Sequence, residues 1–419
     1  MTHKRRSRSR KAAAGRRPER VVTQASSSTR PVRPLVRQIL FRVFAVVGGV
    51  ALAALVCELG LRLLDIKPER YPPPRLSAWD GRQFLEGDAA GGGRIKRPSP
   101  FSGVVMGEYV PGARFKVTYA TNPRGYFDSD NSVLFTMNSL ALRGEEIAAV
   151  KPPATYRILG LGDSFTLGVG VKDDDTFLHR LQLALNAGPP RPEHFEVLNA
   201  GVAGYNTRDE VVYLERRWLS LDPDLVLIVF YINDAYDDAA ILNMGQGLAI
   251  RDEPSTLGHY SFLYDLVQHT WRKRQESKDL EAYYHQVYFT DAQNFLTHPG
   301  EFKMDWTVSR AALEHAAQLT RERNIKFGVV MFPELYRLKG GYPFLPVHAL
   351  VRETCERAGV PFLDLLDTFR GQDDASLWVH PSDHHPNERA HGLAEGAIEQ
   401  FIRKTFLAPE PQRDGARQN

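Results

Sequence analysis

The chain has 419 residues, with 43% hydrophobic and 25% charged residues, so most of it has the composition of a folded globular protein. The net charge of +3 hides an asymmetry: thirteen Lys and Arg stand against one acid, Glu19, between Met1 and Arg42, leaving the remainder at −9. Two cysteines, Cys57 and Cys355, exclude a disulfide framework.

In chain order, residues 1–37 read as a basic cytoplasmic tail and 38–64 as a transmembrane anchor. Val43 to Cys57 runs fifteen residues without a charge. Apolar residues continue on both sides of it, past Arg42 and past Glu58 and Arg62, which can sit at the two interfaces. Lys and Arg crowd the upstream side, and that asymmetry places the tail in the cytoplasm and the body outside it. A bacterial inner membrane with a periplasmic body is the expected setting. A signal peptide is the rival reading, although the tail is long for one and no A-x-A site follows the core. A buried soluble helix is the plain alternative. The basic tail could attract nucleic acid, but with an apolar segment just after it a disordered topogenic tail lying against anionic lipid is the favoured reading, and no specific nucleic acid is expected.

Residues 65–150 read as a linker and a small β-containing preamble. Ile66 to Pro74 is proline-rich, and the strand-like pieces FKVTYA and SVLFTMN are separated by turn residues. From Tyr156 the pattern alternates. Strands are expected at Tyr156–Leu161, Phe195–Leu198, Asp224–Phe230, Lys326–Phe332 and Pro361–Leu366. Helices are expected at Thr176–Leu185, Arg208–Leu219 and from about Asn387 to Phe406. This implies an α/β fold: a three-layer α/β/α sandwich on a doubly wound, mostly parallel five-stranded sheet of flavodoxin-like type, spanning residues 151–410, with 411–419 as a tail. Residues 238–306 break the alternation and read as a helical insertion, either covering the site or merely packing.

Candidate chemistry collects at the carboxyl ends of the expected strands, where open α/β sheets bind ligands. The first strand ends in Gly162-Asp163-Ser164-Phe165. A serine there is exposed at a helix start, and a plain helix cap would look the same. The second ends in NAGVAG, with Gly204, and the third in YIND, with Asn233; a glycine amide and an asparagine side chain can both donate to an oxyanion. Before the last helix comes His380-Pro381-Ser382-Asp383-His384-His385-Pro386-Asn387. A histidine there could serve as the base that a serine hydroxyl needs, with a carboxylate behind it. The cluster could also suggest a metal, but no second cluster completes a ligand set.

These four segments, in this order, resemble the SGNH (GDSL-type) hydrolase family, in the membrane-anchored bacterial form. The resemblance implies Ser164 as nucleophile and His385 as general base. It implies an oxyanion hole from the amides of Ser164 and Gly204 and the side chain of Asn233. It also implies an ester-hydrolysing enzyme needing neither metal nor organic cofactor, acting on an ester-bearing small molecule, lipid or glycan. Acyl transfer to an envelope polysaccharide and a non-catalytic binding role are the alternatives. Two positions depart from the family pattern. Tyr231 replaces a glycine, and Ser382 stands three before His385 where an aspartate is usual. Asp383, two before His385, is the expected acid; a backbone carbonyl is the substitute if it cannot reach.

Overall fold

The computed structural model describes residues 35–68, 74–78, 95–104, 106–189, 191–235, 255–283 and 306–408. The basic tail, part of the linker, most of the insertion and the C-terminal tail lie outside them.

Helix α1 (Leu35–Leu63) is 29 residues long and none of its residues is buried. It starts before and outruns the uncharged core because Arg42 and Glu58 are ordinary helix formers. Its mean hydropathy reaches 2.5, which suffices to cross a bilayer and fits a signal sequence equally well.

In the body, β1 (Arg75–Ala78), β4 (Arg114–Thr118) and β5 (Ser132–Thr136) form an antiparallel sheet in the order β1-β4-β5. β2 (Lys96–Arg97) and β3 (Glu108–Tyr109) form a short antiparallel ribbon. Alternation in β4 turns Phe115 and Val117 inward, where Phe115 stacks on Phe135 of β5. These side chains share one apolar core with the strands that follow. The backbone N–H of Arg143 also donates to the Asn199 carbonyl at 3.0 Å, an isolated bridge that ties the preamble to the edge strand of the main sheet.

The main sheet contains β6 (Thr155–Gly162), β7 (His194–Gly201), β8 (Leu225–Phe230), β9 (Lys326–Met331) and β10 (Phe362–Asp364). Their order is β10-β9-β8-β6-β7 and every pairing is parallel. Every residue of β8, Leu-Val-Leu-Ile-Val-Phe, is buried, as a central strand covered on both faces requires. Helices α3 (Phe177–Ala187) and α9 (Glu388–Thr405) pack together. α4 (Thr207–Arg216) packs on α6 (Trp306–Glu322), and α6 on α7 (Leu345–Ala358). Thr176, Asn206 and Asn387 cap α3, α4 and α9 through their side chains. Two four-residue helices, α2 (Ser164–Leu167) and α8 (Leu366–Phe369), follow β6 and β10 directly, while α5 (Phe262–Tyr283) lies within the stretch 238–306 expected as an insertion.

Each expected strand is present within a few residues of its sequence bounds. The strand order reverses between β6 and β8, the point at which a crevice opens beyond the strand ends. A final hairpin, β11 (Trp378–His380) and β12 (Asp383–Pro386), precedes α9 and lies against α2.

Candidate active site

Ser164 is the first residue of α2, immediately beyond β6. Asp163 caps that helix: its Oδ1 accepts from the Phe165 amide at 2.8 Å. The Ser164 hydroxyl donates to the other carboxylate oxygen at 3.4 Å, and the Asn233 side chain acts on this carboxyl in the direction that lowers its pKa. Asp163 is therefore the buried hub on which two candidate site residues converge. Burial raises its pKa above the ordinary carboxylate value, against the opposing pull of the Phe165 amide and the His385 charge. Gly162 is obligatory here, because an added Cβ would lie 2.0 Å from Thr166 Oγ1 and 3.1 Å from the Val229 carbonyl.

The second segment is tied to the first where the Val202 amide donates to the Gly162 carbonyl at 3.0 Å. Gly204 follows with φ +87°, a left-handed conformation that favours glycine. Asn233 lies in the 3₁₀ turn Ile232–Ala235 beyond β8, shaped by Tyr231 N–H donating to Asp234 Oδ2 at 2.6 Å. Tyr231, the departure from the family's glycine, stacks its ring on Phe165 with centroids 3.8 Å apart. Its hydroxyl donates to Glu334. Behind this edge, Glu210 and Asp234 are both buried: burial, then the charges of Asp234 and Asp163, push Glu210 well above the carboxylate range, and burial, then the Asp163 charge, push Asp234 up against the hydrogen bonds of the Tyr231 amide, Glu210 and Thr207.

The spacing of Asp383 and His385 is resolved by local geometry. Both sit on β12, where residues two apart share a face. His385 Nδ1 lies 2.5 Å from Asp383 Oδ1, and the His385 amide donates to the same oxygen at 3.2 Å. A residue three before His385 would point to the opposite face, and Ser382 instead pairs with His380 Nδ1 at 2.8 Å. His384 turns away and stacks on Trp378 at 3.8 Å. Burial lowers the His385 pKa, but the charge and hydrogen bond of Asp383 outweigh that and leave it above 6.5. Burial works to raise Asp383, yet the His385 charge, its hydrogen bond and that of Tyr119 hold it at about 2.

Tyr119, one residue past β4, is a site neighbour that sequence reasoning missed. Its hydroxyl donates to Asp383 Oδ2 at 2.7 Å. Its ring stacks on Phe127, and Thr121 Oγ1 lies 3.0 Å from His380 Nε2. The preamble thus supports the hairpin that carries Asp383 and His385. Only its position at a strand end hinted at this, since 264 residues separate the two partners in sequence.

Ser164, Gly204, Asn233 and His385 remain partly accessible, while Asp163 and Asp383 behind them are buried. The Phe165 ring stands 5.5 Å from His385, so β12 faces the turn that carries Ser164. Accessible donors and a hydroxyl in front, backed by buried carboxyls, form an arrangement suited to acyl chemistry. Among the described residues, no group of three or more His, Cys, Asp or Glu is placed to hold a metal.

A family model described as the GDSL-like lipase/acylhydrolase family matches residues 161–393. Among solved structures, the chain is similar to the acetyl xylan esterase AlAXEase, at 15% identity over 59% of this chain and 99% of that one, with TM-score 0.36. It is similar to Axe2, an acetylxylan esterase from Geobacillus stearothermophilus, at 16% identity over 60% and 96%, with TM-score 0.36. A two-domain esterase active on acetylated mannans matches at 17% identity over 61% and 51%, with TM-score 0.37. No curated protein matches the chain.

Proposed function

The chain belongs to the GDSL-like lipase/acylhydrolase family and is an ester-hydrolysing enzyme, and on that premise we propose that Ser164, His385 and Asp383 perform the hydrolysis. The observation that carries the assignment is the Asp383–His385 pair on β12, facing the turn that presents Ser164. Asp383 accepts from His385 Nδ1, which leaves Nε2 free of a proton and able to take one from the Ser164 hydroxyl. The serine oxygen then attacks the ester carbonyl. Negative charge developing on the carbonyl oxygen is met by the amides of Ser164 and Gly204 and by the Asn233 side chain. The imidazolium returns its proton to the leaving alcohol, and water, activated by the same base, releases the acyl group.

The substrates in this reading are carboxylic esters carrying acyl or acetyl groups on lipid or carbohydrate. α1 is an uncleaved anchor that places the body outside the cytoplasmic membrane, and the net +12 before Val43 supports that orientation. The chemical reading is tested by labelling the full chain, in detergent, with a fluorophosphonate. The wild type should be labelled and Ser164→Ala should not; labelling of the variant at the wild-type rate sinks the assignment. Orientation is tested by fusing alkaline phosphatase after Asn419, which should be active in cells; an inactive fusion of normal abundance refutes the topology.

A further inference from the structure

The ribbon β2–β3 is built against the loop that carries Gly204. Lys96 and Tyr109 are direct cross-strand partners in it. The Lys96 ammonium donates to the Ala203 carbonyl at 2.7 Å and lies 5.0 Å from the centre of the Tyr109 ring. The Tyr109 hydroxyl faces the backbone of the same residue, Ala203. On the other side, Tyr205 Oη donates to the Gly107 carbonyl at 2.7 Å. Met106 Cε fills the space in front of Gly204, where an added Cβ would meet it at 2.5 Å. Both flanks of Gly204 are therefore fastened to one short piece of the preamble.

A trans peptide is planar, and its C=O and N–H point in opposite directions. The carbonyl of Ala203 and the N–H of Gly204 belong to one such unit. Drawing the carbonyl onto Lys96 aims the N–H away from the ribbon. A cation on the carbonyl oxygen also withdraws electron density from the amide and strengthens the N–H as a donor.

We propose that Lys96 is a positioning residue for the oxyanion hole: it holds the Ala203–Gly204 peptide so that the Gly204 N–H meets the tetrahedral intermediate, with Tyr109 holding the ammonium in place. This rests on the assignment of Gly204 as an oxyanion donor. Among the described residues no carboxylate pairs with Lys96, and burial lowers its pKa to about 8. The titratable group facing it is Tyr109 on β3, pushed well above its ordinary value by burial despite the opposing charge of Arg143. Lys96 is thus the group of this clamp that loses its charge in mildly alkaline solution. Losing it weakens the polarisation of the peptide, so turnover should fall as pH rises through about 8.

The test uses the full chain in detergent and follows hydrolysis of p-nitrophenyl acetate from pH 6 to 10, with the Ser164→Ala rate subtracted. Lys96→Met should lower kcat about 10- to 100-fold, short of the ~100- to 1000-fold loss of an oxyanion donor itself, with KM changed less than about threefold. Its alkaline limb should vanish. Lys96→Arg, permanently charged, should recover most of kcat and carry no limb near pH 8. An unchanged kcat and limb in Lys96→Met overturns the proposal. If Lys96→Met fails to fold, Lys96→Arg decides alone, since a limb that stays near pH 8 overturns it as well. If Ser164→Ala hydrolyses at the wild-type rate, the site assignment itself is wrong and this inference falls with it.

Discussion

Replacing Tyr119 by Phe removes one oxygen from the site and little else. The ring is 2% exposed and stacks on Phe127 with centroids 4.4 Å apart, and Phe preserves both features. The lost group is the donor to Asp383 Oδ2, at 2.7 Å. A hydrogen bond to a charged partner contributes about 1.5–3 kcal/mol. Asp383 keeps the His385 ring and amide, both on its other oxygen, so it stays in place but can rotate. If about half of that energy goes into holding the carboxylate in line with the imidazolium of the transition state, kcat/KM falls about 4- to 12-fold, with KM little changed. The pH dependence gives a second reading with a defined sign. Without the Tyr119 donor, more of the carboxylate charge acts on His385, whose pKa is already above 6.5. The base then stays protonated to higher pH, and the acidic limb of kcat/KM moves up. The assay is a pH–rate profile of wild type and variant between pH 5 and 8 on one ester. A variant within twofold of wild type and with an unmoved limb refutes the role given to this contact.

Gly170→Ala perturbs the same contact from the opposite side. Gly170 has φ +74°, and an added Cβ would lie 2.5 Å from Tyr119 Oη and 2.4 Å from Val379 Cγ1. The variant should lose activity together with ~1–2 kcal/mol or more of stability; wild-type kcat and melting temperature would contradict this packing. Acid should unfold the body partly through His391, whose Nδ1 accepts from the Phe177 amide at 3.0 Å. Burial, then the charges of Arg143, Arg180 and His385, depress its pKa from 6.5 to about 3. The unfolded chain therefore binds this proton first. The contribution is complete above pH 6.5 and is lost as pH falls toward 3, by roughly 3 kcal/mol at pH 4. Urea midpoints of wild type and His391→Gln at pH 7 and pH 4 test this, and equal pH dependence in the two proteins would rule it out.

The main sheet was legible because its strands are apolar runs bounded by turn residues, and a strand buried on both faces has no other local solution. The four site segments were legible because each follows a strand or precedes a helix, so chain order alone brings Ser164, Gly204 and Asn233 to one edge. Which side chain stands beside His385 was undecided in sequence. Counting back from His385 offered Ser382 or Asp383, and only the extended conformation of β12 put Asp383 on the face of His385. What no local pattern contained is the support from the preamble. Lys96 reaches Ala203 across 107 residues and Tyr119 reaches Asp383 across 264, so neither pairing leaves a periodicity or spacing to read. Periodicity reports which face of an element is buried. Which group meets which across the core is fixed when separate elements pack, and here that packing sets the loop that carries Gly204 and the carboxylate beside His385.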